Sequence, residues 1–153
     1  MPKLDLAAVP AKGTTSYPPP HDRQMAGRWQ KFIADHLGLK HLGANLCTLE
    51  PGAWSSQRHW HHGEDELVVM LAGEAVLLED ANDENGGETV LHPGDICAWP
   101  AGDPNGHCIQ NRSDAPCTFL AVSAGEDTAG GVYSDIDMLF TEAGYTRKDG
   151  TPY

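Results

Sequence analysis

Turn residues cut the middle of this chain into short apolar runs, and that spacing limits its fold more than any other feature. ANLCTLE (44–50) stops at Pro51-Gly52, ELVVML (66–71) at Ala72-Gly73, and ETVLH (88–92) at Pro93-Gly94. QRHWH (57–61), EAVLLED (74–80), DICAWP (95–100), GHCIQN (106–111) and PCTFLAVSA (116–124) fill the intervals. Runs of this length suit strands and are too short for core helices. About eight strands with a turn after each predict an all-β chain whose two sheets close into a jelly-roll barrel. ELVVML and EAVLLED read as a hairpin about Ala72-Gly73, with DANDENGG (80–87) as its distal loop. The 17 glycines and 11 prolines among 153 residues agree with so many turns.

The flanks are less regular. Residues 1–41 read as an N-terminal arm packing on the barrel, with disorder as the alternative for residues 1–24, which contain SYPPPH. Within the arm, GRWQKFIADHLG (27–38) suits a strand or one or two turns of helix equally. The barrel is expected over residues 42–124 and a C-terminal strand and tail over 125–153. In that tail VYSDIDMLF (132–140) supplies one further strand, and YTRKDGTPY (145–153) has turn composition.

Charge removes several classes of function. The formal net charge is −12. Nucleic acid and anionic membrane surfaces both need a basic patch, and the lysines and arginines here do not cluster. No apolar run approaches membrane-spanning length, and MPKLDLAAVPAKG has no apolar core of a secretory signal. Cys47, Cys97, Cys108 and Cys117 include no C-x-x-C pair. They read as reduced thiols in apolar strands, outside any metal site, in a cytoplasmic protein.

One constellation carries chemistry. His59 and His61 stand at i and i+2, so on a strand both imidazoles face the same side. Glu66 opens the next strand after a short turn, and an antiparallel return brings it beside them. His107 lies in a later strand that can cross the same face. Three imidazoles and a carboxylate suit one divalent transition metal: Mn²⁺, Fe²⁺, Ni²⁺, Cu²⁺ or Zn²⁺. His21, His36, His41 and His92 read as surface or satisfied histidines, and the parity of His62 turns it away. DANDENGGETVL is a poor calcium loop, with Leu91 where a bidentate glutamate belongs. No nucleophile elbow or phosphate loop is present.

Two stretches resemble the motifs of the cupin family. GAWSSQRHWHHGEDELVVMLAG (52–73) is similar to the first, through His59, His61, Glu66 and Gly73. GDICAWPAGDPNGHCIQN (94–111) is similar to the second, through Gly94, Pro100, Gly102, His107 and Asn111. Gly52 stands one residue further from His59 than in the family pattern. DPNG puts four residues, in place of two, between Gly102 and His107. The resemblance implies a jelly-roll barrel of the double-stranded β-helix type, commonly a homodimer, with the metal inside. His59-Trp60-His61 followed by Glu64-Asp65-Glu66, with a D-G-T-P-Y tail, is similar to small bacterial cupins, some of which are assigned as sugar-phosphate isomerases.

These readings imply a metal-dependent isomerase, lyase or dioxygenase acting on a small oxygenated molecule. A non-catalytic binding or sensing protein is the alternative. No catalytic base outside the ligands stands out. Parity puts Gln57, Val68, Met70, Ile109 and Asn111 on the inner face as a substrate pocket, with Trp60 outside. Arg58 also has outward parity, so no inward cation is evident, which weighs against a phosphorylated substrate.

Overall fold

Strands that are apolar on one side need a second sheet to cover them, and this chain builds two. The computed structural model describes residues 3–80, 87–126 and 129–153. Among these residues the strands are β1 (Arg28–Phe32), β2 (Gly43–Leu49), β3 (His59–His61), β4 (Glu64–Ala72), β5 (Ala75–Glu79) and β6 (Glu88–Leu91). They continue with β7 (Ile96–Trp99), β8 (His107–Gln110), β9 (Cys117–Gly125), β10 (Gly131–Tyr133), β11 (Leu139–Thr141) and β12 (Gly144–Thr146). One sheet has the order β1-β2-β9-β4-β7, and the other β12-β11-β10-β3-β8-β5-β6. From β2 to β10 the chain passes repeatedly from sheet to sheet, as the jelly-roll expectation requires.

Period-two burial is clearest in β4. Val68 and Met70 are buried while Leu67 and Leu71 are exposed on the outer face. The core joins both inner faces: Leu49, Val68, Met70, Cys117 and Phe119 from one sheet, Leu77 and Ile109 from the other. The four cysteines are free, and all but Cys97 are buried.

GRWQKFIADHLG turns out to be both of its alternatives in succession. β1 pairs along its whole length with β2, then α1 (Ile33–Leu37) follows. Gly38, in the left-handed region at φ 69°, closes that helix by donating to Ala34 and Asp35 carbonyls. VYSDIDMLF holds two short strands, because Ser134–Asp137 makes a turn between β10 and β11. β12 then extends the sheet into a segment read as turn. The expected hairpin between ELVVML and EAVLLED does not form, because the chain crosses between sheets at Gly73: β4 pairs with β7 and β9, and β5 with β6 and β8. Residues 81–86, in the segment read as a distal loop, lie outside the described residues. No helix among the described residues is long and apolar enough to cross a membrane.

The two flanks meet each other. Ser16 Oγ and Tyr145 OH lie 2.8 Å apart, as do His21 Nε2 and Tyr153 OH. Tyr17 stacks on Tyr145 with ring centroids 5.6 Å apart.

Gly73 shows why the turns need glycine. Its φ is 76°, and a Cβ there would stand 2.6 Å from the Pro116 carbonyl oxygen. That neighbour is backbone and cannot swing away. Gly73→Ala is expected to destabilise the fold by about 1–3 kcal/mol, the usual cost of a strained backbone position. Urea unfolding checks this, with a lowered midpoint at unchanged slope as the expected result.

Candidate metal centre and cavity

Strand geometry assembles the cluster. β3 projects His59 and His61 from alternate positions onto the inner face. β3 pairs with β8 through His59 opposite His107, and Glu66 comes across from β4 in the facing sheet. His59 Nε2 stands 3.1 Å from His61 Nε2. Glu66 Oε2 lies 3.2 Å from His61 Nε2 and 2.9 Å from His107 Nε2. One donor atom from each of His59, His61, Glu66 and His107 falls within 4.8 Å of every other.

This arrangement fits a divalent cation. Donors about 2.1 Å from a shared ion, at right angles, stand roughly 3.0 Å apart. Tautomer control points the same way. His59 Nδ1 lies 2.9 Å from the Gln57 carbonyl, and His61 Nδ1 lies 3.3 Å from Glu64 Oε2. With an N–H at each Nδ1, both Nε2 atoms turn toward one point, where a proton on His61 or a metal ion can sit between them. Burial lowers the His59 pKa to about 3, helped by the neighbouring imidazoles. Burial also acts to lower His61, but hydrogen bonds to Glu64 and Glu66 outweigh it and hold His61 near 9. Burial would raise the Glu66 carboxyl, yet hydrogen bonds from His107 and His61 hold it well below the usual carboxylate range. The Nδ1 of His107 is buried with no hydrogen-bond partner among the described residues.

Packing fixes the rings. Trp99 stacks on His107 at 3.8 Å between centroids, and its indole N–H donates to Glu79 at 2.9 Å. Asn105 donates to the same carboxylate oxygen, also at 2.9 Å. Asn105 belongs to DPNG, so the longer turn is tied down by Glu79, and His107 keeps its place opposite His59. Phe140 and Tyr133, from the tail, pack against His59.

A cavity of about 890 Å³ opens onto the cluster. Val68 and Ile109 line it, whereas Gln57, Met70 and Asn111 are not among its lining residues. Gln57 precedes β3, and its amide donates to the His21 carbonyl and the Gln24 side chain. Met70 has inward parity but sits too deep, within the core. Asn111 lies past the end of β8 and donates to the Leu49 and Ala115 carbonyls, so it braces a turn. Trp60 packs edge-on against His62. Arg58 pairs with Asp80 and Asp135, outside the cavity.

Other lining residues escaped sequence reasoning. Glu64 lines the cavity and orients His61. Its parity with Glu66 could have revealed it. Tyr17, Arg28, Gln30 and Tyr145 reach the same space from the two flanks. Arg28 is an inward cation, contrary to the expectation of none. His41 also lies at the cavity and is exposed.

Residues 45–123 match the family model described as the cupin domain. A cupin-superfamily sugar phosphate isomerase from Silicibacter pomeroyi DSS-3 superposes with a TM-score of 0.90 at 44% identity, covering 99% of this chain and 96% of that one. Bacillus subtilis oxalate decarboxylase, a protein with Mn(II) centres, superposes at 0.52 with 25% identity, covering 70% of this chain and 27% of its own. An oxalate-binding protein of Thermotoga maritima is 35% identical over 74 residues, 48% of this chain. The chain spans about half the length of that curated relative, 54% of it.

Two substitutions separate the roles of the carboxylates and imidazoles. His61→Ala is expected to cut metal content to near background, measured by elemental analysis of purified protein. Glu64→Gln leaves the donor set intact and should weaken metal affinity about 10–100-fold, as loss of an orienting partner does. Stoichiometric metal in His61→Ala would refute the assignment.

Proposed function

The chain belongs to the cupin domain family, and from that premise we propose that it is a divalent-metal-dependent enzyme acting on a small oxygenated molecule. His59, His61, Glu66 and His107 hold the ion. The observation that carries this reading is the convergence of those four donors on the wall of one polar cavity. Manganese is the ion assigned first, since imidazole and carboxylate donors suit it and the Bacillus subtilis relative has Mn(II) centres. When bound, such an ion polarises a carbonyl or hydroxyl oxygen of the substrate as a Lewis acid.

The protein's own groups supply position and specificity. Glu64 keeps the His61 proton on Nδ1, and the Gln57 carbonyl does the same for His59. Trp99, Tyr133 and Phe140 shield the imidazole faces from water. Gln30, Asn45, Ser123 and the tyrosine hydroxyls offer donors and acceptors around the cavity, suiting a substrate with several oxygens. A volume of about 890 Å³ is far more than a two-carbon acid fills and suits a sugar-sized molecule. Isomerisation of a hydroxy-carbonyl compound is therefore favoured, in line with the Silicibacter pomeroyi protein similar over 99% of this chain.

We further propose a homodimer formed through the outer face of the five-stranded sheet. Trp29, Leu67, Leu71 and Ile96 are exposed there, and Ile96 at 64% lies on the edge strand β7. Pairing two copies across this face removes that apolar surface from water. Light scattering at micromolar concentration is expected to report the dimer mass, and Leu67→Glu to reduce it to monomer.

For the activity, protein purified without added metal is first assayed for bound ions. It is then incubated with a panel of hydroxy-carbonyl sugars and their phosphates, and products are resolved by NMR after the metal is removed. Conversion is expected for at least one compound, abolished by chelator and reduced at least 100-fold in His61→Ala. Tight binding without conversion across the panel would favour the non-catalytic alternative.

A further inference from the structure

Among the described residues, Arg28 supplies the guanidinium that lines the cavity. Arg58 is paired with Asp80 and Asp135, and Arg112 with Glu88. Among the described residues, Arg28 has no carboxylate within ion-pair distance and a single hydrogen-bond partner, the Ser55 carbonyl at 2.6 Å. Arg23 and Arg147 also have no ion pair among the described residues, but both are exposed on the surface, whereas Arg28 lies in the cavity wall. The residue is half-buried, so its charge has lost part of its water without gaining a counter-ion.

Its position follows from register. β1 lies at the edge of the five-stranded sheet, and Arg28 and Gln30 share a face two residues apart. Both line the cavity, with Cys47 of β2 beside them and Tyr17 of the arm. Burial raises the Tyr17 hydroxyl and the Cys47 thiol to about 12 each, and the Arg28 charge opposes that rise at both. The guanidinium therefore stands close to these two groups. Tyr17 keeps its proton and can donate alongside it.

The other charges on the wall cancel. Glu64 and Glu66 face the proposed divalent ion, whose two positive charges balance them. Asp35 and Lys40, both exposed, offset one another. What remains is the positive charge of Arg28. Fixed in a partly desolvated wall, a fork of N–H donors is suited to the oxygens of a phosphate or carboxylate.

We propose that Arg28, assisted by the Tyr17 hydroxyl, forms a subsite for the anionic end of the substrate, whose oxygenated end lies at the metal cluster. This rests on the metal-site reading for the second contact and on Arg28 alone for the first. The ligand class is an oxygenated carbon chain ending in an oxoanion, either phosphate or carboxylate. Arg28 is a specificity-determining residue and takes no part in holding the ion.

The test is binding, measured on the purified protein with and without manganese. Glucose 6-phosphate, glucuronate and glucose are titrated by calorimetry into wild type and R28Q. Wild type is expected to prefer at least one of the two anions over glucose by at least tenfold, and the tighter of the two identifies the oxoanion. R28Q should lose that preference, with manganese content and thermal midpoint unchanged. A wild type without preference, or an R28Q protein that keeps it, overturns the proposal. If R28Q does not fold, R28K decides: a retained part of the preference supports the charge, and complete loss in a folded protein overturns it. A preference that tracks residue 28 in protein that takes up no manganese leaves this subsite standing and removes the metal reading.

Discussion

Two imidazole nitrogens face each other across 3.1 Å in the barrel, with a carboxylate oxygen 3.2 Å from one of them. The strands and side chains around this point hold the donors together. Donor atoms brought so close in a partly dry interior need a proton or a metal ion between them, and the fold supplies rigid opposing supports. It does so with strands from both sheets. β3 and β8 carry the imidazoles side by side, and β4 brings the carboxylate from the facing sheet. A barrel provides such opposition directly, because its inner faces converge.

The support continues outward in a chain of contacts. Glu79 at the end of β5 receives Trp99 and Asn105 on one carboxylate oxygen, and Trp99 lies flat on His107. A turn two residues longer than the family pattern is thereby absorbed without moving the histidine. The lengthened turn costs little because loop entropy grows slowly with length, while the register of β8 is held by its pairing with β5.

The flanking segments complete the cavity as well as the sheets. β1 adds Arg28 and Gln30 to one wall, and the tail places Phe140 and Tyr133 against His59. The stack of Tyr17 on Tyr145 joins arm to tail beside the same space. The cavity thus draws on residues from both ends of the chain, whereas the candidate metal cluster lies wholly within the matched family region.

Features set by local chemistry were legible in the amino-acid order. Strand lengths follow from Pro-Gly and Ala-Gly turns, and the shared face of His59 and His61 follows from the alternation of side chains along a strand. Glu66 at the head of β4 and His107 in β8 could be named from motif spacing, and the structure brings all four donors together. Parity fails at depth, however. It states which face a side chain takes and not how far down the barrel it sits, so Met70 fell into the core, and Gln57 and Asn111 into bracing contacts. Arg28, Tyr17, Tyr145 and Phe140 left no local signal, because their nearness to the histidines depends on pairings between distant parts of the chain. β1 meets β2 and β10 meets β3 only when the whole sheet order is in place. By itself the sequence determined the donor set and the strand grammar. Tertiary structure alone decided the cavity's charge and size, since both are properties of which strands become neighbours and in what register.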